Sequence, residues 1–207
     1  IEGDGLGEYS YTQTEIIIPS TISYNGAEYT VTSIGSSAFY KNTTIESISI
    51  PNTVTTIGST AFYYCNALVS VSMPDRLETM GTNAFYYCSS LKSVTIPEGL
   101  TTIKSYTFYN CISLGEITIP STVTTIENSA FYNCKALTEI NFNAVAMNDL
   151  GSSNCVFEYA GAEGNGIKVI FGKNVTKIPA YLFYSSNSSY SPKITSIEFE
   201  DGSVCTS

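Results

Sequence analysis

The sequence predicts a repeat solenoid that is built mainly of β-strands with short helical turns. The first observation is a 23-residue period, in which six columns of like residues recur over four or five units. Agreement of this extent is not expected by chance, so the chain is a repeat protein. The second observation is that no single unit can bury its own apolar edge, so successive coils must stack. Two columns begin at Val31 and Ile34, and the other four are Phe39, Phe62, Phe85, Phe108 and Phe131; Ile45, Leu68, Leu91, Leu114 and Leu137; Pro51, Pro74, Pro97 and Pro120; and Cys65, Cys88, Cys111 and Cys134.

The first element, residues 1–30, is predicted as an N-terminal capping segment that contains a β-hairpin. Residues 16–18 and 22–24 are predicted strands. Asn25 and Gly26 then form the two-residue turn that is typical of a hairpin, and a returning strand follows. A solenoid needs a cap over its first exposed coil, and this hairpin is well positioned to supply one.

Each regular unit is predicted to contain a short strand, a tight helical turn and a second strand. Val54 and Ile57 are three residues apart and lead into Phe62, which suits a short strand or turn before a helical turn. Residues 68–73 end in apolar alternation with period two, as a half-buried strand should. Pro74 lacks a donor N–H and ends that strand. Burying one Phe stabilises the fold by roughly 1.5–3 kcal/mol, so the Phe column is predicted to be core.

The solenoid is predicted to extend over residues 31–207 in about seven coils, of which the last are irregular. Phe157 and Phe183 follow at steps of 26 residues rather than 23. The apolar pattern ending at Phe199 is predicted to be the last strand. The remaining residues resemble the start of a further unit, so we expect either a longer native chain or an open strand edge.

Composition excludes several classes of function. The chain has 9 Lys and Arg against 18 Asp and Glu, for a net charge of −9. Nucleic acid and anionic membrane surfaces are therefore unsuitable partners. The apolar runs are too short for membrane insertion. The sequence contains no His, which is the usual general acid or base, the usual partner of a catalytic Ser or Cys, and the commonest metal ligand. We therefore expect neither enzymatic activity, nor a metal, nor a cofactor.

The polar surface predicts the location of the protein, and the first residue indicates a processed or cropped chain. Ser and Thr together make up 53 of the 207 residues, which suits an exported protein. The chain starts at Ile1 rather than Met, so any targeting segment is expected to be missing from it. We therefore expect an extracellular or cell-surface protein.

The columns resemble the BspA-like, Treponema-pallidum-type leucine-rich repeats, whose pattern includes I-x-x-x-A-F-x-x-C-x-x-L-x-x-I-x-I-P. Ordinary leucine-rich repeats carry Asn or Cys shortly after the strand, whereas this chain has Thr53, Arg76, Gly99 and Thr122 there. The first unit also departs from the pattern, because Asn42 occupies its Cys position. The resemblance implies a right-handed, curved leucine-rich-repeat solenoid and, commonly, a bacterial surface protein that binds host or neighbouring-cell proteins.

The cysteine column is predicted to consist of buried free thiols. Stacked side chains point the same way, whereas a disulfide needs its sulfurs turned toward each other. Zinc needs a tetrahedral cluster rather than a row. Cys155 and Cys205 lie outside the column and have no predicted position.

A row of tyrosines is the first candidate binding surface. Each of them follows a ladder Phe, and because the Phe points inward, its neighbour should point outward or sideways. One interpretation is an amphipathic aromatic strip that anchors protein or sugar ligands. The alternative is that the rings stack on one another and shield the edge of the coil. The strip comprises Tyr40, Tyr63, Tyr86, Tyr109 and Tyr132.

The outward face of the main strands is the second candidate surface. In solenoids this face is the usual recognition surface, although hydroxyl side chains also simply favour strands. The expected partner is an extracellular or surface protein, with matrix proteins among the candidates. Glycan binding through the tyrosine rows and a passive stalk role remain the alternatives. The candidate residues of this face are Ser49, Ser72, Thr95, Thr118, Glu116 and Glu139.

Overall fold

Strands of successive units pair in parallel, with like positions in register. The structure, a computed structural model, describes residues 13–202. Ser47 pairs with Ser70 and Ile48 with Val71, and Ser70 pairs in turn with Ser93 of the following coil. Because each strand meets the equivalent strand of the next unit, the fold is the predicted repeat solenoid.

The elements alternate between two faces of the coil. One strand of each coil belongs to a main sheet, and short strands of two residues form a second sheet. Within the described residues the strands are, in chain order, β1 (Glu15–Ile17), β2 (Thr21–Tyr24), β3 (Ala27–Thr30), β4 (Ser33–Ile34), β5 (Ser47–Ser49), β6 (Thr56–Ile57), β7 (Ser70–Ser72), β8 (Thr79–Met80), β9 (Ser93–Val94), β10 (Thr102–Ile103), β11 (Glu116–Ile119), β12 (Thr125–Ile126), β13 (Glu139–Phe142), β14 (Ile167–Phe171) and β15 (Ile194–Phe199), and Ser188–Tyr190 form a 3-10 turn.

The N-terminal region contains the predicted hairpin and one strand of the main sheet. Asn25 and Gly26 have φ values of 50° and 79°, so β2 and β3 are joined by the expected two-residue turn. β1 pairs in parallel with β5, with Glu15 opposite Ser47. The main sheet therefore begins at β1 rather than after residue 30. Residues of the hairpin strands are exposed, and its role as a cap stays a prediction.

The turns that carry the buried Phe side chains are not helical, unlike the predicted short helical turns. Thr60 and Tyr64, on either side of Phe62, have φ values of 55° and 58°. The equivalent Asn83 and Tyr87 of the next coil have 58° each. A left-handed residue interrupts a right-handed helical turn. The chain therefore turns sharply at two positions in each of these coils, with the buried ring between them.

The Phe column forms the predicted core ladder. Successive rings are stacked, with centroids 4.9 to 5.6 Å apart and planes within 10° of parallel. The first ring, Phe39, is only half buried, because no earlier Phe covers its outer side. The fully buried rings of the ladder are Phe62, Phe85, Phe108, Phe131 and Phe157.

The cysteine column adds a hydrogen-bond ladder beside the rings. Each thiol donates to the carbonyl oxygen of a Phe in the preceding coil, so it fills apolar space and also satisfies a buried acceptor. The prediction of buried free thiols is confirmed for this column, and Cys155 is also buried and free. Cys205 lies outside the described residues. The donor–acceptor distances are 3.0 Å for Cys65 to Phe39, 3.1 Å for Cys88 to Phe62, 3.3 Å for Cys111 to Phe85 and 3.3 Å for Cys134 to Phe108.

Asn42 stands at the cysteine position of the first unit, and the ladder explains the exception. No Phe precedes Phe39 in the sequence, so a thiol at this position would have no equivalent carbonyl to reach. The Asn42 amide oxygen instead accepts hydrogen bonds from the backbone N–H groups of Thr44 and Ile45, at 3.0 and 2.9 Å. The first unit therefore closes its loop within its own coil.

Both sheets are interrupted at the same boundary between coils. The main sheet divides into β1-β5-β7-β9 and β11-β13-β14-β15, and the second sheet divides into β4-β6-β8 and β10-β12. The turns continue across this boundary, because Phe85 N–H donates to Thr107 O at 2.9 Å and Tyr87 N–H to Tyr109 O at 2.8 Å. Thr107 is buried where the neighbouring coils have Ala, so a larger side chain accompanies the interruption.

The last coils are longer and less regular, in line with the 26-residue steps. β13, β14 and β15 still pair in parallel, with a register shift between Ile167 and Lys168. Ile197 and Phe199 on β15 are about half exposed. β15 is the last described strand of the sheet.

Candidate partner-binding surfaces

The five tyrosines of the predicted strip form one continuous stack. The chain turn that buries each Phe leaves the next side chain at the edge of the coil. Backbone bonds between coils hold these turns together, as where Tyr64 N–H donates to Tyr86 O at 2.8 Å. The ring centroids are 4.9 Å apart for Tyr40–Tyr63, 4.8 Å for Tyr63–Tyr86, 4.8 Å for Tyr86–Tyr109 and 4.6 Å for Tyr109–Tyr132, with planes within 8° of parallel.

A second, shorter row leans against the first. Tyr64 and Tyr87 stack on each other at 4.6 Å. Tyr64 also contacts the strip, with its ring 4.9 Å from that of Tyr63 and tilted by 46°. These rings widen the aromatic surface at the two coils where the sequence has two consecutive tyrosines.

The aromatic surface continues past the strip through residues that the sequence analysis did not identify. Tyr159 meets the ring of Tyr132 edge to face at 5.3 Å, and Tyr190 stacks on Tyr159 at 4.5 Å. Tyr159 stands two residues after Phe157, as Tyr64 does after Phe62, so the second row was a usable signal. Tyr190 lies on the 3-10 turn of an irregular coil, where no column predicts it.

Stacking determines which part of each tyrosine a partner can reach. Both faces of the inner rings contact neighbouring rings, so their edges and hydroxyl groups remain for solvent. Burial, followed by the neighbouring phenols, raises the pKa of Tyr86 to about 12, and burial also raises the pKa of Tyr63 and Tyr109. These hydroxyl groups therefore stay protonated at neutral pH. The strip presents a row of neutral hydrogen-bond donors and acceptors on an apolar base.

A shallow, open depression of about 380 Å³ lies beside the strip. Tyr106 forms part of its wall, because its ring meets that of Tyr109 edge to face at 5.8 Å. Asn128 Nδ2 donates to the Tyr106 hydroxyl at 3.1 Å. The depression is lined by Tyr63, Asn83, Tyr86, Tyr106 and Tyr109.

The sheet face also has the predicted side chains on its outer surface. Ser49, Ser72, Thr95 and Thr118 are exposed. Glu116 is exposed and lies in register with Glu139, which is half buried. Asn141 Nδ2 donates to Glu139 Oε1 at 2.9 Å. A groove of about 180 Å³ follows the interruption of the main sheet and is lined by Ser93, Val94, Thr95, Glu116, Ile117, Thr118 and Asn141.

Residues 13–202 contain neither a metal-binding cluster nor a membrane-spanning helix. In that range no three His, Cys, Asp or Glu side chains are grouped so that they could hold a metal ion. The same range contains no helix that is long and apolar enough to cross a bilayer.

Comparison with known proteins identifies both the repeat and the fold. A family model described as a BspA type leucine rich repeat region matches residues 32–162 with six copies. Comparison with curated proteins gives no match.

Several solved structures are similar to the chain. A leucine-rich repeat protein of T. pallidum is 29% identical, with a TM-score of 0.66 over 78% of this chain and 74% of that one. A leucine-rich repeat protein of Eubacterium ventriosum is 22% identical, with a TM-score of 0.54 over 90% of this chain and 60% of that one. The pneumococcal vaccine antigen PcpA is 20% identical, with a TM-score of 0.52 over 95% of this chain and 63% of that one.

Proposed function

The chain belongs to the BspA-type leucine-rich repeat family, and on this premise we propose that it is a non-enzymatic, secreted or cell-surface protein that adheres to proteins of a host or a neighbouring cell. A leucine-rich repeat solenoid is a protein-recognition fold. The proposed contact surface is the tyrosine strip. A row of parallel stacked rings and outward hydroxyls, repeated at the coil spacing, suits an extended protein partner.

The single observation that carries this proposal is the continuous stack from Tyr40 to Tyr132. Rings that are held by their neighbours lose little conformational freedom when a partner binds. Repeated, equivalent contacts along one body also favour an extended or multivalent partner, because each additional contact is intramolecular once the first has formed.

The sheet face is the competing protein-binding surface in this proposal. Its hydroxyl side chains are short, so it offers few of the large anchors that dominate binding energy. The groove beside Thr95 and Glu116 is a concave feature of this face, and its size suits a single side chain of a partner.

Glycan binding is a second candidate function, favoured by the depression beside Tyr106. Its aromatic wall and the side-chain amide of Asn83 are of the types that bind a sugar ring, through apolar contact and hydrogen bonds. The inner rings of the strip have both faces covered, so a glycan would contact their edges and hydroxyls rather than stack on them.

A binding screen tests the proposal and separates the alternatives. Binding of the protein is measured to immobilised matrix proteins such as fibronectin and fibrinogen, and in parallel to a glycan array. We expect saturable binding to a protein, which free oligosaccharide does not displace. Displacement by oligosaccharide, or binding on the glycan array alone, would support the second candidate instead. Absence of binding to both the matrix proteins and the glycan array would contradict both candidate functions and favour a passive stalk.

Two matched variants locate the surface. Replacing Tyr63, Tyr86 and Tyr109 with Phe keeps the stack and removes three hydroxyls, whereas Ala at these positions removes the rings. Loss of binding in both variants assigns the contact to the hydroxyl row. Loss in the Ala variant alone assigns it to the ring edges. A variant with Lys at Ser72 and Thr118 tests the sheet face, and selective loss there would overturn the assignment to the strip.

A further inference from the structure

We propose that the tyrosine strip is a site of oxidative cross-linking, at which a peroxidase-class one-electron oxidant joins tyrosines of adjacent coils as dityrosine. This inference is independent of the proposed adhesive function. It rests on the positions of the phenol rings, which are held beside one another by the backbone of the repeat.

Proximity is the first argument. Neighbouring rings of the strip are almost parallel, and their centroids are 4.6 to 4.9 Å apart. Equivalent ring carbons of two rings related by such a translation are separated by about the same distance. Two phenoxyl radicals formed in this stack therefore start with their ring centroids less than 5 Å apart, and they do not need to diffuse to find each other.

The backbone maintains this proximity. From Tyr63 onward, each strip carbonyl accepts an N–H from the residue after the tyrosine of the preceding coil, as in Tyr87 N–H to Tyr109 O at 2.8 Å and Asn110 N–H to Tyr132 O at 2.9 Å. Coupling in this proposal needs rotation of the two rings about their side-chain bonds, while the backbone hydrogen bonds keep the coils in register. Coupling therefore does not require the solenoid to open.

Accessibility is the second argument. Rings of the strip are partly exposed, as are other tyrosines such as Tyr24 and Tyr181, whereas the cysteines and methionines in the described part of the chain are buried or half buried. The four ladder cysteines are buried, as are Met80 and Met147, and Met73 is half buried. The sequence contains no Trp. A one-electron oxidant at the surface consequently meets phenols first.

The chemical step balances with hydrogen peroxide as the terminal oxidant. The oxidised peroxidase removes one electron and the phenolic proton from each of two neighbouring tyrosines. The two radicals join through a bond between ring carbons ortho to oxygen, and the hydrogens on those carbons then move to the oxygens to restore both phenols. The pair loses two hydrogen atoms, and one peroxide is reduced to two waters.

Treatment with peroxidase and hydrogen peroxide at low protein concentration tests the inference. We expect a monomer that is lighter by two hydrogens per link and has dityrosine fluorescence. Peptide mapping should join segments one coil apart, such as those containing Tyr109 and Tyr132. Each link closes a loop of about 23 residues, so the cross-linked monomer should melt roughly 7–14 °C higher than mock-treated protein.

Two variants provide the controls. Replacing Tyr86 and Tyr87 with Phe keeps both stacks but removes the phenols of one coil, so links to that coil should vanish while the Tyr109–Tyr132 link persists. Replacing Tyr24 and Tyr29 with Phe removes exposed hairpin tyrosines and should leave the pattern unchanged. An unchanged monomer mass, dimers as the only cross-linked product, or links confined to the hairpin tyrosines would overturn the inference.

Discussion

Alkaline pH should destabilise this protein steeply, because the thiol ladder cannot ionise while it is folded. Burial raises the pKa of Cys88, Cys111 and Cys134 well above their ordinary value near 9. Below about pH 9 these thiols are protonated in both the folded and the unfolded chain, so their contribution to stability is fully present. Above it the unfolded chain releases three protons that the folded chain retains, and stability falls as the pH rises.

The magnitude follows from the number of protons. Each proton held by the folded state alone changes the free energy of unfolding by about 1.4 kcal/mol per pH unit. Three fully buried thiols therefore contribute a slope of about −4 kcal/mol per pH unit between roughly pH 10 and 11. Domains are typically stable by about 5–15 kcal/mol, so unfolding should be complete within a few pH units above 9.

Urea unfolding of the wild type and of Cys111→Ala, at a series of pH values, isolates the thiol contribution. Tyrosine and lysine titrations are common to both proteins and cancel in the difference. The variant should be less stable by about 1–3 kcal/mol at neutral pH, because it loses a buried group and its hydrogen bond. Its alkaline slope should be shallower than that of the wild type by about 1.4 kcal/mol per pH unit. Equal slopes in the two proteins would refute the reasoning, since they would mean that Cys111 ionises equally in both states.

Two further predictions concern the core and the turns. Replacing Phe85 with Ala leaves a cavity in the middle of the ladder and should lower the free energy of unfolding by about 3–5 kcal/mol; a loss below about 1 kcal/mol in denaturant unfolding would contradict its core role. Replacing Thr60 with Asn should raise stability by about 0.5–1 kcal/mol, because a β-branched residue is strained at φ 55° and Asn83 already occupies the equivalent position; a lower melting temperature would show that the Thr60 hydroxyl outweighs that strain.

The 23-residue period was sufficient to predict most of the fold. Residues at equivalent positions pair across coils, so the 23-residue spacing predicts the register of the strands, as for Ile48 opposite Val71. Pairing of β1 with β5 could not be predicted in this way. Glu15 and Ser47 are 32 residues apart because the hairpin is inserted between their strands, and the period is lost there.

The sequence predicts which residues form the candidate surfaces, but it does not predict how their side chains are arranged. The sequence indicates that a tyrosine follows each Phe of the 23-residue column, and it leaves open whether the rings face solvent or one another. The observed stack depends on side-chain rotation within the coil spacing, which a residue pattern does not encode. The same limit applies to the thiols: their column was evident, but their bonds to Phe carbonyls depend on where each backbone oxygen points.

The coincident interruption of both sheets has a mechanical consequence. Between β9 and β11 the coils are joined through the turns that carry Phe85 and Tyr87 and by one bond beside the main sheet, from Gly115 N–H to Lys92 O at 3.1 Å, so bending stiffness should be lowest at this joint. A pull along the solenoid axis would load the tyrosine side and separate the strands on the other two sides first. The molecule should therefore yield under force as two blocks rather than coil by coil, with the first rupture at the boundary beside Thr107.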